Sequence, residues 1–293
     1  MKAIVGVDAH EAYKPALCLL ARLGISSLAA TLLNVVSPVM PFIPPEASDA
    51  ELQADYLKVV ENAGLRALDE AIDEACSRDL HARSKLVFGS PANGIMEEVI
   101  GQHADIVAVA ATHHGTWSSS FLGSVSRALA IGCPASLLVA KGNTPRTKPF
   151  RVVFATDHSP FSERCLEKFI SFKAKGIEEI HVVSVYSLSD TQAEVLARNL
   201  PALGGDVDRW LEEQIETKNE EVCAKLRAAG YQTTSRAVRA APNDGIRQAM
   251  QETNAGLLIV GSHGKGFIAR TFIGSVSLHQ VVAEPYPVLV IRP

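Results

Sequence analysis

The 293-residue chain repeats itself once, and a tandem repeat constrains architecture before any single residue is interpreted. KAIVGVDAH at residues 2–10 matches RVVFATDHS at 151–159, which superposes Asp8 on Asp157 at an offset of 149. GSPANGIMEEVI matches AAPNDGIRQAM at an offset of 151, pairing Pro91 with Pro242 and Gly94 with Gly245. FLGSVS from Phe121 matches FIGSVS from Phe272 at the same offset. So small a drift over a whole repeat implies two copies of one domain, placed at residues 1–142 and 150–293. Between them KGNTPRTKP (141–149) has the polar and proline character of a linker.

Within each copy, short apolar runs alternate with helical patterns. In the second copy the runs are RVVFAT, EEIHVVSVYS, YQTTSRAVRA, GLLIVG and PVLVIR, the Val- and Ile-rich signature of strands buried on both faces. Between them Leu166, Phe169 and Ile170 recur at helical spacing, as do Val207, Leu211, Ile215, Val222 and Leu226. Strand and helix alternating in this way build parallel crossover units, hence an α/β fold: two tandem copies of a five-stranded open parallel sheet with helices on both faces. Long segments follow the second strand of each copy, SPVMPFIPPEASDAEL and SLSDTQAEVLARNLPALGGD. They do not match each other and read as excursions over the carboxyl edge of the sheet or toward a partner.

Composition narrows the partners. A hydrophobic content of 47% suffices for a core in each copy and implies a soluble globular protein. The net charge of −4 comes from interspersed acids and bases, with no basic block to hold a nucleic-acid backbone or an anionic membrane. Five cysteines without a CxxC pair fit reduced thiols in a cytoplasmic protein. No apolar stretch approaches the roughly 20 residues that span a bilayer. Asp8 and Glu11 interrupt the amino terminus where a secretory signal needs an unbroken apolar run.

The segment GSHGKGFIARTFIGS (261–275) follows the apolar run LLIV and carries the chemistry. Ligands of open α/β sheets bind beyond the carboxyl ends of the strands. Amides of a glycine-rich turn form an anion-binding hollow there, and the helix opening near Gly274 and Ser275 adds the positive end of its dipole. Glycine is expected to supply positive φ angles and close approach, and Ser275 and Ser277 to offer hydroxyls to phosphate oxygens. The segment is not a Walker A loop, because Lys265 precedes Gly266 and Phe267 follows it; nor does it read GxGxxG.

Gly261-x2-Gly264-x9-Gly274-Ser275, with Asp157 at the end of the first strand, AAPNDGI and the terminal PVLVIRP, resembles the ATP-binding signature of the universal stress protein family. In tandem form the resemblance covers the whole chain. It implies an adenine-nucleotide alpha hydrolase-like fold and ATP, or else AMP or ADP, as cofactor, with Mg²⁺ accompanying the triphosphate. By the family pattern Ala155, Thr156 and Asp157 would line the adenosine pocket, with the Asp157 carboxylate on ribose hydroxyls, and Val185 would meet adenine through its backbone. Gly261, Ser262 and Gly264 would wrap ribose and phosphates, and Gly274, Ser275, Val276 and Ser277 the phosphate tail. No protein ligand for the metal can be named. The resemblance also implies an internal pseudo-dimer formed through the last strands, LLVAK and VLVIR; pairing of two chains into a homodimer is left open.

The first copy departs from the pattern. Ala110 stands opposite Gly261 and His113 opposite Gly264, while Gly123 and Ser124 keep the later pair. A left-handed conformation costs a non-glycine residue about 1 to 2 kcal/mol, so two lost glycines would weaken binding by about thirty- to a thousandfold if both positions need that geometry. The second copy is therefore the expected site, and Asp8 and Val35 mark its weaker counterpart.

Other residues read more plainly. Asp157-His158-Ser159 spells a hydrolase triad, but side chains adjacent in sequence rarely aim at one another, and helix capping is the better reading. His113 and His114 lack a ligand partner at helical spacing. His263, Lys265 and Arg270 are open between phosphate contact and solvent; Trp117 and Trp210 read as packing residues. Glu97, Glu98, Glu212 and Glu213 read as solvated helix faces, with no carboxylate pair placed as acid and base. The expected function is an ATP-binding stress-response regulator. A slow ATPase or nucleotidyl-transfer enzyme, or a ligand-free scaffold, would use the same residues; the downstream partner is not legible.

Overall fold

A computed structural model of the protein describes residues 1–39, 50–111, 123–142, 149–199, 206–264 and 273–293. The first copy runs β1 (Lys2–Gly6), α1 (Lys14–Arg22), β2 (Ala29–Val36), α2 (Ala50–Cys76), β3 (Ala82–Phe88), α3 (Pro91–Gln102), β4 (Ile106–Ala110), α4 (Ser124–Gly132) and β5 (Ser136–Ala140). The second runs β6 (Arg151–Ala155), α5 (Pro160–Ser171), β7 (Glu179–Tyr186), α6 (Asp190–Asn199), α7 (Val207–Ala228), β8 (Gln232–Arg239), α8 (Pro242–Glu252), β9 (Leu257–Gly261), α9 (Ser275–Ala283) and β10 (Val288–Ile291). Among the described residues each copy supplies five strands, joined in one sheet in the order β3-β2-β1-β4-β5-β10-β9-β6-β7-β8. Neighbours are parallel within each copy, and β5 meets β10 antiparallel at the junction.

The junction has the symmetry of the repeat. Leu138 pairs with Leu289, its counterpart at offset 151, and Val139 and Leu137 pair with Val288 and Val290. Ile25 bridges Ala174, its counterpart at offset 149, on the α1/α5 side. The pseudo-twofold axis therefore passes through both contacts, and pairing the two final strands leaves neither as an open edge.

Alternation along each strand sends successive side chains to opposite faces. Val5, Leu32, Phe154, Ile259 and Leu289 bury against α1, α2, α5 and α7. Ile4, Val107, Val153, Leu258 and Val290 bury against α3, α4, α8 and α9. Continuous Val and Ile runs are what two covered faces demand. The repeated glycines of α3 and α8 serve packing on the second face. A Cβ on Gly245 would fall 2.5 Å from Val185 Cγ1, and one on Gly94 would fall 2.9 Å from Val35 Cγ1.

Two sequence expectations need correction. The segment after β7, read as an excursion, contains α6, which opens with a reciprocal capping box: Ser189 N–H donates to Gln192 Oε1 (3.0 Å) and Gln192 N–H to Ser189 Oγ (3.3 Å). Lys141, read as the first residue of a linker, is buried. Its ammonium crosses to the other copy and donates to Gln280 O (3.1 Å) and Glu284 O (2.6 Å) at the C-terminal end of α9. Arg292, its counterpart at offset 151, does the reverse, donating to the carbonyls of Leu129, Ala130, Cys133 and Ala135 at the end of α4. Each copy thus lends a cation to the negative end of its neighbour's last helix.

Candidate functional site

β6 and β9 lie side by side, and their carboxyl ends set the site. Ala155 ends β6, opposite Val260. The next residue, Thr156, turns its hydroxyl to the start of α5: Oγ1 lies 2.7 Å from Ser162 Oγ and accepts from His158 N–H (3.2 Å). Asp157 divides its carboxylate. Oδ1 accepts from Ser159 N–H (3.0 Å) in a turn before α5, whose N-cap is Ser159 with its Oγ accepting from Ser162 N–H (3.1 Å), while Oδ2 faces the glycine segment. A Cβ built on Gly264 would lie 3.0 Å from that oxygen.

Gly261 ends β9, and a Cβ there would lie 3.0 Å from Cys165 Sγ. Burial pushes the Cys165 thiol up to about 12, so it packs as a small apolar group. Ser262 is buried and ties two strands: its N–H donates to Ile291 O (3.0 Å), and its carbonyl accepts from Gly274 N–H (2.6 Å). That last bond closes the segment into a loop that returns to α9. Gly274 is the N-cap of α9 at φ −64°, and among the described residues no side chain caps the helix. The first intrahelical bond runs from Leu278 N–H to Gly274 O (2.9 Å), so the amides of Ser275, Val276 and Ser277 form the orphan first turn.

The expectation that these glycines supply positive φ is overturned. The described glycines with positive φ are Gly24, Gly89, Gly142 and Gly230, none of them in the motif. Close approach favours glycine at two of the motif positions, through Cys165 at Gly261 and Asp157 at Gly264, whereas a Cβ on Gly274 would make an ordinary 3.4 Å contact with the Ser262 carbonyl. The left-handed penalty set against the first copy loses its basis with it. There Ala110 stands for Gly261 and Ala16 for Cys165, so a glycine–cysteine contact is replaced by two alanines. His113, the other departure, lies outside the described residues, as do His114, Trp117, Lys265 and Arg270.

Ser275 is exposed at the start of α9, whereas Ser277 is buried and donates its hydroxyl to Gly261 O (2.6 Å). The Ser277 hydroxyl thus ties helix to strand, as Ser126 Oγ and Ala110 O (3.2 Å) do in the first copy. Val185 lies beyond the last β6–β7 pair, Ala155 with Val183, although β7 continues against β8 to Tyr186. Its main chain therefore borders the cleft past the end of β6, while its side chain packs on Gly245. His263 packs edge-on against Phe161 at 5.1 Å and places Nδ1 2.9 Å from Ser262 Oγ. Burial, then the charge of Arg292, lowers its pKa and favours a neutral imidazole.

Sequence reasoning missed a buried support beneath the site. Ser184 Oγ lies 3.0 Å from Thr156 O, 2.7 Å from Asn219 Oδ1 and 2.9 Å from His158 Nε2. With its one proton directed at two oxygen acceptors, the hydroxyl accepts from the imidazole, which therefore does not act as a base toward it. His158 sits at φ 55° with its Nε2 on the buried Ser184 hydroxyl. The first copy supports the same point differently, through Asn34 Nδ2 donating to Val7 O (3.0 Å). A polar residue at one position inside both apolar strands, HVVSVY and TLLNVV, was the available signal. Among the described residues, no group of three or more His, Cys, Asp or Glu side chains could hold a metal ion. Nor is any described helix long and apolar enough to cross a membrane.

The solved structure of a universal stress protein from Archaeoglobus fulgidus is 20% identical and aligns over 99% of this chain and 98% of its own with a TM-score of 0.66, a likeness of fold. A universal stress protein family protein from Arabidopsis thaliana, solved with AMP bound, covers 50% of this chain and 96% of its own at 20% identity and a TM-score of 0.35. In sequence, the chain is 27% identical to Universal stress protein Rv2005c of Mycobacterium tuberculosis over 99% of this chain and 96% of that protein. The Universal stress protein family model matches residues 1–141 and again 150–292. The chain therefore belongs to the universal stress protein family, as a tandem member with one family domain in each half.

Proposed function

We propose that the second copy binds an adenine nucleotide, ATP in the first instance, and that the protein is a nucleotide-responsive regulator of stress physiology. The observation that carries this reading is the bare main chain at Gly264 beside Asp157 Oδ2, which leads into a helix whose first turn has no side-chain cap. Asp157 would take the ribose hydroxyls, and the main chain of Val185 the adenine edge. The amides of Ser275–Ser277, with the Ser275 hydroxyl, would take the phosphates, where the helix dipole favours negative charge. Mg²⁺, when present, would neutralise charge on the triphosphate, with its ligands supplied by phosphate oxygens and water. Binding without turnover is favoured because the buried Ser184 is not activated by His158. The first copy keeps Asp8 and the Gly123–Ser124 start of α4, and serves as the weaker partner in the pseudo-dimer.

Mass spectrometry of small molecules released from the purified protein tests the reading directly. Gly264→Asp places a second carboxylate against Asp157 in the hollow, so retained nucleotide is expected to fall at least about a hundredfold with the unfolding transition intact. Unchanged retention in that variant would refute the site.

A further inference from the structure

The face of the sheet covered by α5 and α7 holds a cavity of about 160 Å³, next to the candidate nucleotide site but on the other side of β6 from α8 and α9. Phe154, Leu166 and Val222 give it an apolar side, Thr156, His158 and Ser162 a polar one, and the ion pairs Lys218–Glu221 and Lys225–Glu163 border it. The repeat explains why the space exists. Offset 149 carries Ser162 onto Tyr13, and the matched helix-end bonds Leu80 N–H to Ala75 O and Tyr231 N–H to Leu226 O carry Glu221 and Lys225 onto Glu70 and Glu74. Tyr13 is 1% exposed. Burial first, then the charges of Glu70, Glu11, Glu74 and Asp8, push its phenol up to about 12. Those neighbours put the Tyr13 ring, as a neutral phenol, in the first copy's version of this space. The second copy has exchanged that phenol for a hydroxymethyl group and left the space open.

We propose that the second copy's cavity is a binding site for a small monocyclic phenol, which takes the place that the Tyr13 side chain holds in the first copy. The volume is that of a space able to hold one benzene-sized ring, and the mixed lining suits a ring that carries a hydroxyl. The surroundings are more favourable than those of Tyr13, whose hydroxyl has no hydrogen-bond partner among the described residues. In the second copy the positions matching Glu70 and Glu74 are Glu221 and Lys225, paired with Lys218 and Glu163, and a phenol hydroxyl would join those pairs as donor and acceptor. The aromatic ring would lie on Phe154, Leu166 and Val222. The first copy is already filled, so the stoichiometry is one ligand per chain.

p-Cresol, the tyrosine side chain as a free molecule, is the probe. Titration of the full chain, followed by calorimetry and by ligand-observed NMR, should show saturable binding of one equivalent at roughly millimolar concentration or below. Ser162→Tyr supplies the missing plug, and should weaken p-cresol binding at least about tenfold while raising the unfolding midpoint. Ser162→Ala removes the hydroxyl without filling the space and should bind p-cresol more tightly than Ser162→Tyr. Val222→Phe fills the cavity from the opposite wall and should also abolish binding, should Ser162→Tyr fail to fold. No saturable binding, or equal binding in both filled variants, overturns the proposal. ATP retention is read separately, so loss of one result leaves the other standing.

Discussion

Arg292→Ala tests the reciprocal clasp that joins the copies. The guanidinium meets four carbonyls at the end of α4, with Leu129 O and Ala135 O at 3.4 and 3.5 Å and Cys133 O and Ala130 O closer. The two long contacts sit near the limit of a hydrogen bond and are worth little. Each of the two closer acceptors, left half-buried without a partner, costs about 1 to 3 kcal/mol, and the lost cation at a helix C-terminus adds up to about 2 kcal/mol. Water entering the vacated space offsets part of this, so a loss of about 2 to 4 kcal/mol is expected. That is a large share of the 5 to 15 kcal/mol typical of a folded domain. Equilibrium unfolding in urea should show a lower midpoint at unchanged slope. Arg292→Lys should recover more than half of the loss, because Lys141 performs the mirror-image task with a lysine. A change below about 1 kcal/mol for Arg292→Ala, or no recovery by lysine, would show that the helix end is satisfied without the cation.

Lys141 gives the clasp a pH dependence. Burial lowers its pKa to about 8 in the folded chain against 10.5 unfolded. The unfolded chain therefore holds the extra proton between those values, and stability should rise with pH there, by about 2 kcal/mol from pH 8 to about 10. Urea unfolding across that range should show the rise in the wild type and not in Lys141→Met; parallel curves would refute it. Gly245→Ala sets two effects against each other. Helix propensity favours alanine by about 1 kcal/mol, but the new methyl meets Val185 Cγ1 at 2.5 Å, and overpacking costs about 1 to 3 kcal/mol. A net destabilisation that Val185→Ala relieves is expected, whereas a stabilised single variant would mean that α8 moves freely off β7.

Much of the fold was legible because burial on both faces leaves a mark in the chain. The five runs from RVVFAT to PVLVIR coincide with β6 to β10, since strands covered by helices on either side must be apolar throughout. The helix α6 is legible too, in Ser189-x-x-Gln192, the spacing of the capping box that opens it. The site was less legible. Which of two hydroxyls in a turn faces a ligand depends on rotamers set by tertiary neighbours, and Thr156 and Ser277 both turn to protein partners, Ser162 and the Gly261 carbonyl. The polar support at Ser184 and Asn219 joins residues from separate elements, so no local pattern announces it.

The sequence by itself determined the duplication, the alternation of strand and helix and the place of a side-chain-free segment after β9, because offsets, periodicity and glycine spacing are local properties of a chain. Only the tertiary structure decided why the glycines are there. It placed Cys165 and the Asp157 carboxylate 3.0 Å from where a Cβ would fall, so that contact distance, and not a left-handed backbone, disfavours a side chain there. It also decided what Lys141 and Arg292 are for. Their partners lie far along the chain, and antiparallel pairing of β5 with β10 brings each cation within reach of the other copy's helix end.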